Sequence, residues 1–96
     1  MLLMLEVALL EMQRSLLGEV SSSLRAVTIR VSDNQLHFDA YFDGLIGEDD
    51  VESMSCVEGE LIAALPQRIE VTYDIHRIDL PVMVPKHDVF VYMRRE

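Results

Sequence analysis

The sequence is poor in cysteine and in positive charge, and it has no tryptophan. Cys56 is the single cysteine among 96 residues, which excludes an internal disulfide and a cluster of cysteine metal ligands. Eight lysines and arginines stand against 17 aspartates and glutamates, so the net charge is −9. This charge repels phosphate backbones, so we expect no nucleic-acid partner and favour a basic protein as partner.

Long hydrophobic runs are also missing. The apolar residues 1–5 are followed by Glu6 and Glu11, and the run is far shorter than the ~20 apolar residues of a membrane span. It has no basic flank before it and no small-residue cleavage site after it, so we expect no signal peptide, no membrane partner and a cytoplasmic location. Half of the residues are hydrophobic, enough for the core of one domain over residues 1–96.

Two segments show the apolar spacing of helices, residues 2–20 and 48–65. In the first, a main stripe is accompanied by a second row, Leu3, Leu10 and Leu17, which we expect to be deeply buried. In the second, the predicted core stripe comprises Val51, Met54, Val57, Leu61, Ile62 and Leu65.

Four segments show the alternation of strands, and the first two flank the turn pair Asp33-Asn34 as a hairpin. The predicted strands are residues 24–32, 36–42, 68–80 and 89–93. Because each element has one apolar face, we expect an α+β fold of order α-β-β-α-β-β, with two helices packed on one face of a four-stranded, mainly antiparallel sheet. The pattern does not give the order of the strands within the sheet.

Acidic residues crowd the start of the second predicted helix. They are Asp43, Glu48, Asp49, Asp50 and Glu52. Carboxylates near a helix N-terminus are stabilised by ~0.3–1 kcal/mol each, and Gly47 is an acceptable N-cap. The stretch is therefore a favourable helix start, and it is also a candidate docking surface for a basic partner.

Glu58 lies within the apolar stripe of the same helix, where an unpaired carboxylate would be costly. We therefore expect Glu58 either to form a structural ion pair or to lie at the edge of the helix. Arg25 and Arg77 are the candidate partners, because both lie on the inward phase of their strands. Cys56 projects away from the stripe, and we interpret it as a small packing residue rather than a nucleophile.

No pattern of catalytic residues is evident. The four glycines are scattered, so they form no phosphate-binding loop, and the serines lie in a linker and a helix. His37 and His76 face outward on strands, and with Asp39 or Asp74 they have the types of a metal site, but their spacing is generic. We predict no metal, no cofactor and no enzymatic activity.

Seven segments resemble small acidic bacterial immunity proteins of contact-dependent growth inhibition and related polymorphic toxin systems. They are Leu16–Val20, Leu24–Val27, Tyr41–Gly44, Glu48–Asp50, Glu60–Ala63, Arg77–Pro81 and Val91–Glu96. The likeness spans about residues 15–96, and its most specific part is the Tyr-Phe-Asp-Gly turn before the acidic helix.

This resemblance implies a non-catalytic cytoplasmic inhibitor that binds a cognate toxin domain. Many such toxins are nucleases with basic sites, which suit the acidic residues of 43–52 for electrostatics, with Tyr41 and Tyr92 as aromatic anchors. Two alternatives remain open. One is a structural or regulatory subunit that forms a homodimer through Leu3, Leu10 and Leu17 or through the open sheet face, and the other is a small metal-dependent enzyme.

Overall fold

The computed structural model describes residues 4–96 and confirms an α+β fold with the predicted order of elements. The helices and strands are α1 (Leu5–Leu16), β1 (Leu24–Ser32), β2 (Gln35–Phe42), α2 (Glu48–Ala64), β3 (Glu70–Arg77) and β4 (Val89–Met93). None of the helices within residues 4–96 combines the length and the apolarity that crossing a bilayer requires.

The hairpin of β1 and β2 forms the centre of the sheet. The two strands pair antiparallel, with Ile29 opposite Phe38 and Val27 opposite Ala40. All four of these side chains are buried, as the alternation of apolar residues predicts. The faces of both central strands are therefore set by the sequence pattern.

The prediction of a mainly antiparallel sheet is wrong, because the sheet is mixed. Its order is β3-β2-β1-β4, and β3 pairs parallel to β2, with Asp39 opposite Asp74. The 17 residues of α2 return the chain to the starting end of β2, so the next strand runs in the same direction. The alternation of side chains carries no information about strand direction, which is why the parallel pair was not anticipated.

A single cluster of buried side chains joins both helices to the sheet. Its members are Ala8, Met12 and Leu16 of α1, Met54, Val57 and Leu61 of α2, Leu24, Val27 and Ile29 of β1, and Leu36, Phe38, Ala40 and Phe42 of β2, with Leu65 and Ile69 beside α2. Val51 and Ile62 are 47% and 56% exposed, so the predicted core stripe of α2 is too wide. That both helices cover the same face of the sheet stays a prediction.

α1 is shorter than predicted. It ends at Leu16, and Gly18 follows with φ +81°, a left-handed conformation that favours glycine and stops the helix. Leu10 and Leu17 are 47% and 78% exposed, so the prediction that their row is deeply buried is wrong for both residues. Leu3, the third residue of the row, lies outside the described residues.

Arg25 organises the long connection from β3 at one edge of the sheet to β4 at the other. Its guanidinium, 3% exposed, donates to the carbonyls of Ile78 and Val82, both at 2.7 Å, and to the carboxylate of Glu96 at 2.7 and 2.9 Å. The third strand ends at Arg77, three residues earlier than predicted, and residues 78–82 pass over this guanidinium. Arg25 thereby fixes both the connection and the end of the chain.

The predicted ion pair of Glu58 with Arg25 or Arg77 is wrong. Arg25 binds Glu96, and Arg77 binds Asp79 at 3.1 Å. Glu58 is half-buried at the edge of the α2 stripe, so its carboxylate reaches water and does not need an arginine.

Candidate functional site

The start of α2 presents a group of carboxylates to solvent. Glu48, Asp49 and Glu52 are exposed, and no hydrogen bond or ion pair joins them to another side chain within residues 4–96. Gly47 caps the helix with φ −81° and ψ 169°, and as a glycine it makes no side-chain capping hydrogen bond. The helix dipole favours these acids, but their charges stay available to a partner.

Asp43 and Asp50, the other two acids of the predicted site, have internal partners. Asp50 accepts a hydrogen bond from the hydroxyl of Ser23 at 3.2 Å. Asp43 accepts one from the backbone N–H of Leu80 at 3.2 Å and lies 3.4 Å from the guanidinium of Arg94. Asp43 holds the loop before α2, and Asp50 holds the first turn of α2, against the rest of the fold. The charges of both acids are therefore partly compensated.

Further acids extend the negative surface along α2. Desolvation, followed by the charges of Glu19, Glu52 and Glu60, raises the pKa of the exposed Cys56 thiol. Glu19, from the turn after α1, accepts a hydrogen bond from the hydroxyl of Ser53 at 3.2 Å. A thiol among carboxylates is a poor nucleophile, because its reactive thiolate is disfavoured. We call Glu19, Glu48, Asp49, Glu52 and Glu60 the acidic surface.

Two apolar residues adjoin the acidic surface, and neither was predicted from the sequence as a binding residue. Leu45 is 84% exposed in the turn before α2, and Val51 is 47% exposed in its first turns. Gly44, with φ +82°, makes the sharp turn that carries Leu45 outward. In the sequence, Leu45 lies between the turn glycine Gly44 and the helix cap Gly47. A residue between two such positions is expected in an exposed turn, so the sequence could have indicated its exposure. Apolar side chains rimmed by charge are typical of protein-binding surfaces.

The two tyrosines proposed as anchors offer less surface than these residues. Tyr41 is 4% exposed and stacks on the imidazole of His76, with ring centroids 4.9 Å apart. Burial raises the pKa of Tyr41. Tyr92 is half-buried and packs against the core cluster. Both rings therefore contribute to packing within the fold.

A second polar cluster lies on the sheet, where the parallel pairing of β2 and β3 brings four side chains together. His37 Nε2 lies 3.3 Å from Asp39 Oδ1 and 3.4 Å from Asp74 Oδ2. His76 Nε2 lies 2.7 Å from the same Asp39 oxygen. These four residues are the ones whose types suit a metal site, and their polar atoms lie next to one another.

Arginines bind a third set of acids beside the start of β1. Hydrogen bonding to Arg25 lowers the pKa of Glu96 to about 2. Hydrogen bonding to Arg77 lowers the pKa of Asp79, which also accepts from the backbone N–H of Gly44 at 2.7 Å. These carboxylates are occupied by the fold, in contrast to Glu48, Asp49 and Glu52 at the start of α2.

Comparison with models of protein families gives a match. The model of the MafI2 immunity protein family matches residues 6–96, which is nearly the whole chain. A search of curated proteins found no match.

Proposed function

The chain belongs to the MafI2 immunity protein family, which makes it an immunity protein of a polymorphic toxin system, and we propose that it neutralises a basic toxin domain through the acidic surface of α2. We further propose that the toxin is a nuclease, that inhibition takes place in the cytoplasm, and that the immunity protein acts by binding and without catalysis. The observation that carries this proposal is the set of exposed carboxylates without internal partners at Glu48, Asp49 and Glu52.

A nuclease suits this surface because its active site holds phosphate and is therefore positively charged. Complementary charge accelerates association, by one to three orders of magnitude in favourable cases, and the effect falls as salt is added. Leu45 and Val51 supply apolar contacts that charge alone lacks. A partner bound here would cover the basic site and exclude nucleic acid from it.

We also propose that both helices cover one face of the sheet, as their shared core cluster supports. The opposite face, with His37, Asp39 and His76, would then be a separate surface beside the acidic one. The two surfaces differ in composition. The acidic surface consists of carboxylates beside a leucine and a valine, whereas the other consists of imidazoles and carboxylates.

The test is protection of cells from the toxin domain encoded next to this protein's gene. Co-production of the protein should restore growth, and the two purified proteins should form a stable complex. The Asp49→Lys/Glu52→Lys variant should lose protection, whereas Glu70→Lys should retain it. Glu70 is an exposed acid at the start of β3, at the opposite end of the sheet from α2's first turn, and it accepts a hydrogen bond from the Gln35 amide at 3.1 Å. Its reversal controls for a change of net charge away from the acidic surface. Equal protection by both variants would reject the acidic surface as the binding site.

Self-association is the second candidate, and the exposure of Leu10 and Leu17 on α1 favours it. A homodimer through this row would bury two leucines that now face solvent. Sedimentation equilibrium at high micromolar concentration decides the question. A dimer that Leu10→Lys dissociates would support this candidate, and a strict monomer would remove it.

A further inference from the structure

We propose that His37, Asp39 and Asp74 form a binding site for a divalent transition metal of the zinc class on the polar face of the sheet. This proposal departs from the sequence-based expectation of no metal. It does not depend on the proposed function.

The distances among the three ligand atoms fit one metal ion. His37 Nε2 lies 3.3 Å from Asp39 Oδ1 and 3.4 Å from Asp74 Oδ2, and all three atoms lie within 4.8 Å of one another. Zinc binds such atoms at ~2.0–2.2 Å, which places neighbouring tetrahedral ligands roughly 3.3–3.6 Å apart. The two distances from the imidazole nitrogen therefore match coordination of one ion, and the two carboxylate oxygens lie within 4.8 Å of each other.

The sheet holds the ligands in place. His37 and Asp39 are two residues apart on β2, so they lie on the same face, and Asp74 is the direct neighbour of Asp39 on β3. Asp39 is 8% exposed. Two carboxylates directly opposite each other on adjacent strands repel, and a cation between them offsets that repulsion. Ligands on paired strands are also more rigid than ligands on a loop.

Neighbouring side chains orient the ligands as in known metal sites. Thr72 Oγ1 lies 2.7 Å from His37 Nδ1. A hydrogen bond from Nδ1–H to this hydroxyl leaves the lone pair of Nε2 directed at the carboxylates, which is the form of imidazole that binds a metal. His76 Nε2 lies 2.7 Å from Asp39 Oδ1, and His76 is itself held by stacking on Tyr41.

The ligand types select the class of metal. One imidazole nitrogen with two carboxylate oxygens suits Zn²⁺ and its neighbours, whereas Ca²⁺ prefers six to eight oxygen ligands. Three protein ligands leave a fourth position, and the 66% exposure of the Asp74 side chain places that position toward solvent. A small molecule or a side chain of a partner protein could complete the coordination there.

The experiment is calorimetric titration of the chelator-treated full chain with ZnCl₂ and, separately, with CaCl₂. We expect one Zn²⁺ per chain with a micromolar or lower Kd, and no comparable binding of Ca²⁺. Zinc at ten times its Kd should raise the melting temperature by roughly 5 °C or more. No zinc binding below 1 mM, or equal binding of both ions, would overturn the proposal.

Variants locate the site. Asp74→Asn and His37→Gln should each weaken zinc binding at least tenfold, and His76→Gln should weaken it by about 10–100-fold as the loss of an orienting residue. His87→Gln is the control, because His87 is an exposed histidine outside the cluster. This variant should bind zinc with the affinity of the parent. Circular dichroism establishes that each variant folds. Unchanged affinity in folded Asp74→Asn and His37→Gln would show that zinc binds elsewhere and would contradict the assignment.

Discussion

Two sets of carboxylates near the same end of the sheet serve different purposes. Asp43, Asp79 and Glu96 contact arginines at 3.4, 3.1 and 2.7 Å. The pairs of Asp43 and Glu96 join distant segments of the chain, and Asp79 does so through its hydrogen bond from the backbone N–H of Gly44. Glu48 and Asp49 face solvent at the start of α2. A net charge of −9 therefore does not distinguish acids that stabilise the fold from acids proposed to bind a partner. Contact with an arginine marks the acids that stabilise the fold.

Replacing Arg25 should have the largest effect, and the effect should be on stability. Arg25→Met removes four hydrogen bonds and leaves the carbonyls of Ile78 and Val82 without their donor. We expect the free energy of unfolding to fall by about 2–4 kcal/mol, measured by urea denaturation.

Arg14→Met is the control for Arg25. Arg14 is an exposed arginine whose ion pair with Glu11 lies on one helix, and its loss should change stability by less than about 0.5 kcal/mol. Equal losses in the two variants would contradict the role assigned to Arg25.

Replacing Leu45 should affect binding and leave stability unchanged. Because Leu45 is 84% exposed, Leu45→Ala removes little buried surface from the folded chain. We expect the affinity for the toxin domain to fall about tenfold, while the free energy of unfolding changes by less than about 0.5 kcal/mol. Surface plasmon resonance and urea denaturation measure the two quantities. Unchanged affinity would remove Leu45 from the interface.

Acid should reveal which carboxylates stabilise the fold. The pKa of Glu96 is lowered to about 2 in the folded chain, from an ordinary value of 4.5. Its contribution to stability is therefore fully present above about pH 4.5 and is lost as the pH falls through about 2. Glu96→Gln should be less stable than the parent at pH 7, and the two should converge near pH 2.

The matched control for Glu96 is Glu52→Gln, which removes an exposed acid that contacts no arginine within residues 4–96. Its unfolding free energy should follow the parent's across the same pH range. A constant difference between Glu96→Gln and the parent from pH 7 to pH 2 would refute the assigned linkage.

The sequence predicted the local elements well, because these depend on near neighbours. β1 and β4 have the predicted bounds, and α2 begins at Glu48 behind Gly47 as expected from its acids and its cap. The pattern of apolar residues also identified the buried face of the central hairpin.

Features that depend on distant residues were not predictable in the same way. The parallel pairing of β2 with β3 sets Asp39 beside Asp74, and without it the histidine–carboxylate cluster has only generic spacing. Arg25 was one of two candidate partners for Glu58, but it binds Glu96, 71 residues away along the chain. These contacts depend on the pairing of β2 with β3 and on the path of residues 78–88. The periodicity of apolar residues describes neither.

The most direct test that the acidic surface binds the toxin domain is to measure how the association rate constant depends on salt. At low salt, we expect the association rate constant of Asp49→Asn/Glu52→Gln to be about fivefold lower than that of the parent. The reason is that fewer negative charges attract the basic toxin domain towards the acidic surface. Near 0.5 M salt the two rate constants should agree, since the Debye length is then only a few ångströms. Equal rate constants at low salt, with Glu70→Gln behaving identically, would contradict the account.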